Sequence, residues 1–150
     1  MTTSDDAHEK IVVGVDGSPS SSQALRWAAR QARLTGSALH AVIAWSWPPT
    51  YGGALVTHDD LAGEARHLLD HTLSATLEPG VAEQVQVHVV EGHPVQVLVD
   101  AAADADLLVV GSRGHGGFPG MLLGAVSQHV AAHAACPVVI VQGLADDLRS

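Results

Sequence analysis

The amino-acid sequence predicts an α/β protein: an open parallel sheet with helices on both faces. Three observations carry that expectation. Short apolar runs rich in Val and Ile recur along the chain, amphipathic helical segments stand between them, and no hairpin turn joins one run to the next. Such alternation implies right-handed βαβ crossovers and a doubly wound sheet.

The apolar runs are KIVVGV (10–15), AVIAW (41–45), VQVHVV (85–90), DLLVVG (106–111) and CPVVIV (136–141). Their length and composition suit strands buried on both faces. After the first run, SSSQALRWAARQARLTG places Leu25, Ala28, Ala29 and Ala32 on one helix face, with serines at its start and Gly36 as its stop. After the second, THDDLAGEARHLLDHTLSATLEPG sets Leu61, Ala65, Leu68, Leu69 and Leu73 against a polar side of Asp60, Glu64, His67 and His71. PVQVLVDAAADA opens on Pro94, a favoured first helical residue, and MLLGAVSQHVAAHAA (121–135) is the last helical segment.

A chain of 150 residues suits one domain. At that size roughly 70% of the unfolded surface can be buried, so no metal or disulfide is needed to hold a core. The domain is expected over residues 10–142, between polar tails at 1–9 and 143–150. Pro48-Pro49 to about Gly53 is the longest irregular connection. The single cysteine, Cys136, lies in an apolar run and reads as a buried small hydrophobe in a reducing compartment. The start, MTTSDDAHEK, lacks the pattern of a signal peptide, and no apolar run approaches the ~18 to 20 residues of a membrane helix. A soluble, cytoplasmic protein is expected.

Seven Lys and Arg stand against sixteen Asp and Glu, a net charge of −9. That balance argues against nucleic acid or an anionic membrane as a partner. An anionic ligand has to be caught by local geometry, which makes the position of each cation informative. Arg113 lies inside the most glycine-rich part of the chain, GSRGHGGFPGMLLGAVSQ (111–128).

Ligands of open parallel sheets bind at the carboxyl ends of strands, and two loops qualify. VGVDGSPSS (13–21) places Asp16 at the end of the first strand, and the glycine-rich stretch follows DLLVVG. A glycine-rich turn running into a helix start offers unpaired N–H groups and the positive end of the helix dipole, which together hold phosphate. On this reading Gly111 and Gly114 let the backbone approach a nucleotide. Gly124, Ala125, Val126 and Ser127 supply amides, Ser127 adds a hydroxyl, Arg113 the local positive charge, and Asp16 a carboxylate for a divalent ion. Neither GxxxxGK[ST] nor a GxGxxG opening the first helix is present.

The histidines read mostly as surface groups. His67/His71 and His129/His133 have i,i+4 spacing, but two ligands do not complete a metal site. His115, inside the loop, is a candidate ligand contact. Ser127 and His129, two residues apart on a helix, face away from each other and form no catalytic pair.

The spacing Gly111-x2-Gly114-x9-Gly124, between DLLVV and AVSQHVAAHAACPVVIV, resembles the universal stress protein family. IVVGVDGSPSSSQAL and VVEGHP extend the resemblance over residues 10 to 142. It implies a Rossmann-like, adenine nucleotide alpha hydrolase-like fold with five parallel strands in the order 3-2-1-4-5, and a homodimer pairing through residues 137–141. It also implies ATP as ligand, accompanied by Mg²⁺ or Mn²⁺. Phosphate and ribose contacts would fall on Gly111, Arg113, Gly114, Gly124, Val126 and Ser127, and adenine near Ala41, with Val15, Asp16 and Val110 beside the nucleotide. The family's ATP-binding branch has Ser or Thr where this chain has Ala125, which keeps the amide and loses a hydroxyl. At ~1.5–3 kcal/mol for a hydrogen bond to a charged group, binding would weaken roughly 10- to 150-fold. The expected role is regulatory, in a stress response. The alternatives are an interaction module whose site has lost its ligand, and a slow ATPase; efficient turnover is not expected.

Overall fold

Residues Lys10–Gly14 form β1, Ala38–Trp45 β2, Gln86–Glu91 β3, Leu107–Gly111 β4 and Val138–Val141 β5. All pairings are parallel and the strand order is 3-2-1-4-5, as expected. The computed structural model describes residues 9–47, 57–113 and 124–142.

Helices α1 (Pro19–Thr35) and α2 (His58–Thr76) cover one face of the sheet, and α4 (Pro94–Ala101) and α5 (Ala125–His133) the other. Ser18 caps α1 by accepting the Ser21 N–H at 3.1 Å, with Pro19 in the first turn. Gly36 ends it at φ 72°, a left-handed conformation that costs glycine little. Thr57 and Asp60 form a reciprocal capping box at the start of α2. α4 is capped by a histidine: His93 Nδ1 accepts the Val95 N–H at 3.2 Å.

Strand alternation divides the core in two. Ile11, Val13, Leu39, Ala41, Ile43 and Val109 point toward α1 and α2, whereas Val12, Val42, Leu108 and Val110 meet Leu98 of α4 and Val130 of α5. The α1 face is the expected one, with Leu25, Ala28, Ala29 and Ala32 buried.

Five details differ from the sequence reading. The helical segment read through Gly80 is broken in two: α2 ends at Thr76 and Pro79–Ala82 makes a short extra helix, α3. Leu68, placed with the apolar side of α2, is 40% exposed. Gly124, read inside the last helical segment, is extended (φ −72°, ψ 164°) and caps α5, which begins at Ala125; residues 121–123 of that segment lie outside the described residues. β3 is an edge strand, so only Val87 and Val89 pack against a helix layer, while His88 and Val90 stand on the opposite, open face. There His88 stacks on His40 of β2, with His40 Nδ1 and His88 Nε2 2.9 Å apart. Cys136 is half-buried rather than buried; burial, helped by Asp106, raises its thiol pKa, so it remains a protonated thiol.

A Cβ on Gly111 would lie 2.7 Å from both the carbonyl carbon and oxygen of Ser20. Gly63, inside α2, has nothing within 4 Å of that point. Gly111→Ala should therefore lower unfolding stability by ~1–3 kcal/mol through overpacking. Gly63→Ala should raise it by ~0.5–1 kcal/mol through helix propensity. Urea denaturation of the two variants checks both signs.

His40 gives a pH dependence. Burial first, then the positive field of Lys10 and the neighbouring His88, holds its pKa below the usual value, with Asp104 opposing. As pH falls through ~6.5 the unfolded chain takes up this proton before the folded one, so stability declines on acidification. His40→Gln should flatten that decline between neutral pH and the folded-state titration of His40, followed as urea midpoints across pH.

Candidate functional site

β1 and β4 lie side by side, and the crossovers that leave them pass to opposite faces of the sheet. Their carboxyl ends splay apart into a cleft of about 230 Å³, bordered by the amino ends of α1, α4 and α5. One side is apolar, made by Val42, Ala44, Pro94, Leu98, Val110 and Val126. The other carries Asp16, Ser21, Arg113 and Ser127, with Gly14, Val15 and Gly111 on the floor.

Serines lace the two loops together. Ser18 Oγ donates to the Arg113 carbonyl at 3.4 Å, and the Arg113 N–H donates to Ser20 Oγ at 3.2 Å. Asp16 closes the β1–α1 turn: its Oδ1 accepts the Ser18 N–H at 2.9 Å and its own N–H donates to Ser21 Oγ at 3.2 Å. Gly17, at φ 84°, supplies the left-handed residue of that turn.

At the far wall, Gly124 caps α5 without a side-chain hydrogen bond. Its own N–H donates to the Ser112 carbonyl at 2.6 Å, and Ser127 Oγ donates to the Gly111 carbonyl at 2.5 Å. Two donors assigned to the ligand in the sequence reading are therefore spent on seating α5 against the end of β4. The amides of Ala125, Val126 and Ser127 form the first turn beyond the cap, where an α-helix leaves its N–H groups without internal partners.

Arg113 supplies the charge. Its Nε is buried with no hydrogen-bond partner among the described residues, although the side chain lines the cleft. Leaving a buried charged donor unpaired costs on the order of 1–3 kcal/mol or more. An anion seated between this guanidinium and the open turn of α5 would satisfy both.

The structure brings Val15, Asp16, Val110, Gly111, Arg113, Val126 and Ser127 together around one cleft. Three residues stand outside the lining, Gly124 among them as the buried cap of α5. Ala41 is fully buried on the α1–α2 side of the sheet, and Val42 and Ala44 line the cleft in its place, because strand neighbours alternate faces. Ala125 is exposed and outside the cleft lining. Gly114 and His115 lie outside the described residues. Gly111 has a different reason to be glycine than the one expected: the backbone of Ser20 crosses where its side chain would stand. Among the described residues no three His, Cys, Asp or Glu side chains group as metal ligands, and His67 and His71 are exposed. Nor is any described helix long and apolar enough to cross a membrane.

Sequence reasoning missed Gly14, Ser21, Val42, Ala44, Pro94 and Leu98 as lining residues. Strand alternation is the signal for Val42 and Ala44, which it sets on the face opposite Ala41, and the helix start after VVEGHP is the signal for Pro94 and Leu98.

Comparison with known proteins agrees with this frame. The family model described as "Universal stress protein family" matches residues 8–142. A universal stress protein of Mycobacterium tuberculosis is 42% identical over 142 residues, covering 87% of this chain and 46% of its own length. The chain thus spans about half the length of the curated relatives it matches. A universal stress protein solved in complex with cAMP is 30% identical with a TM-score of 0.63, covering 90% of this chain and 97% of its own. One from Archaeoglobus fulgidus in complex with dAMP is 26% identical with a TM-score of 0.63, covering 89% and 97%. With the whole described fold inside the matched region, this chain belongs to the universal stress protein family.

Proposed function

We propose that the cleft binds an adenine nucleotide, and that residues 10–142 act as one nucleotide-responsive regulatory domain. The observation that carries the reading is the buried Arg113 Nε, without a hydrogen-bond partner among the described residues, beside the amino end of α5, whose cap Gly124 supplies no side-chain hydrogen bond. The apolar side suits a flat, weakly polar ring, and the opposite side suits an anion. The structures of relatives with cAMP and dAMP support the same ligand class.

ATP is the proposed physiological ligand. Arg113 and the amides of Ala125, Val126 and Ser127 hold its phosphates, and the lining by Val42, Ala44, Pro94 and Leu98 takes the base. Asp16 is the single carboxylate among the described lining residues. That fits Mg²⁺ or Mn²⁺ carried in on the phosphates better than a resident ion, since Mg²⁺ keeps several waters and few protein ligands. The ion would screen phosphate charge against Asp16. Among the described lining residues Arg113 is also the sole cation, so turnover is proposed to be slow at most.

Nucleotide binding is proposed to act through a homodimer that pairs along β5. The strand is an edge, VVIV, half-buried and without a charged residue, and such an edge favours pairing with another strand.

Isothermal titration with ATP and Mg²⁺ tests the reading. Arg113→Ala should weaken binding by about 10-fold or more through loss of a charge-assisted contact. Ala125→Ser, which adds a hydroxyl at an exposed first-turn position, should tighten it by about 10-fold, or ~1.5 kcal/mol. Absence of heat with ATP, AMP and cAMP in both the native protein and Ala125→Ser would instead establish an interaction module that has lost its ligand.

A further inference from the structure

We propose that a groove at the opposite end of the sheet binds a short acidic polypeptide segment in which carboxylates alternate with apolar side chains. The groove, about 600 Å³, runs between the carboxyl-terminal half of α1 and the connection from α2 through α3 to β3, beside the start of β2.

One wall is cationic. Arg26, Arg30 and Arg33 all line the groove from α1, and they are three of the chain's seven Lys and Arg. Their spacing of four and three residues puts them on one helix face, about 6 and 4.5 Å apart along the axis. Arg26 reaches Gln23 at 3.2 Å, whereas Arg30 and Arg33 form no ion pair or hydrogen bond among the described residues. Glu78 lines the same groove without closing an ion pair with any of the three.

The other wall is apolar and incompletely covered. Leu77 and Val81 are half-buried against the core, and the single turn of α3 buries none of its own residues. An extended segment places alternate side chains on opposite faces, with same-face residues about 6.6 Å apart. That repeat sets carboxylates against the arginine wall and apolar side chains against Leu77 and Val81.

Charge decides the class of partner. A long polyanion meets the field of a chain carrying −9, and nucleic acid needs a basic surface far broader than three residues. A short acidic segment meets only the local guanidinium row, where bidentate carboxylate pairing is available.

The test is fluorescence anisotropy with a short fluorescein-labelled peptide of alternating Glu and Leu, added to the full chain. Saturable binding is expected, weakened about 10-fold or more by Arg30→Glu/Arg33→Glu and less by Arg30→Gln/Arg33→Gln. Peptides of alternating Lys and Leu, or Glu and Ser, should bind weakly or not at all. Thermal melting of the variants, expected to match the native protein because both arginines are exposed, separates lost binding from lost folding. The proposal is overturned if the Glu-Leu peptide does not saturate, if charge reversal leaves its affinity unchanged, or if a single-stranded oligonucleotide binds as tightly through the same arginines.

Discussion

Where β1 and β4 meet, the chain leaves the sheet in two directions at once, and the two loops are held against each other by serine hydroxyls. Ser18 reaches the Arg113 carbonyl, and Ser20 receives the Arg113 N–H. The rest of the site follows from that lacing. It fixes the backbone of Arg113, brings the amino end of α1 against Gly111, and leaves the guanidinium lining the cleft. Ser127 and Gly124 complete the frame by tying α5 to the end of β4. Polar groups that look like ligand donors in the sequence thus hold the walls of the cleft, while Arg113, Val126 and Ser127 line the space between them.

α1 serves both ends of the molecule. Its first turn builds one wall of the cleft, and its Arg26–Arg33 stretch builds one wall of the groove, along a helix of 17 residues, or about 25 Å. The buried stripe of Leu25, Ala28, Ala29 and Ala32 packs the shaft between them onto the sheet. Small alanines let the helix sit close, so the two surfaces are held by one tightly seated element.

Much of the fold was legible because a parallel sheet writes itself as apolar runs separated by amphipathic helices, and α1 and the order of elements follow directly. The strand order rested on the resemblance, since alternation alone does not rank the strands. The site was legible at the level of loops and less so at the level of atoms. Ala41 and Val42 are neighbours in one apolar run, and only the pleat assigns them to opposite faces. Ser127 carries a hydroxyl in any reading, but its commitment to the Gly111 carbonyl exists only once α5 is docked. Arg113 was marked by its rarity among so few cations; that its buried Nε has no partner among the described residues is a tertiary fact.

The Gly111–Ser20 contact bears on how motifs in such chains are read. Glycines in a nucleotide-binding pattern are usually taken as room made for the ligand. Here the first of them is room made for a helix, with the Ser20 carbonyl where a methyl group would go. A chain of this architecture that abandoned its nucleotide altogether would still be under pressure to keep that residue. Its presence is therefore a signature of how α1 docks on the sheet, and loss of ligand in such a chain has to be sought at positions such as Arg113, whose buried Nε has no hydrogen-bond partner among the described residues.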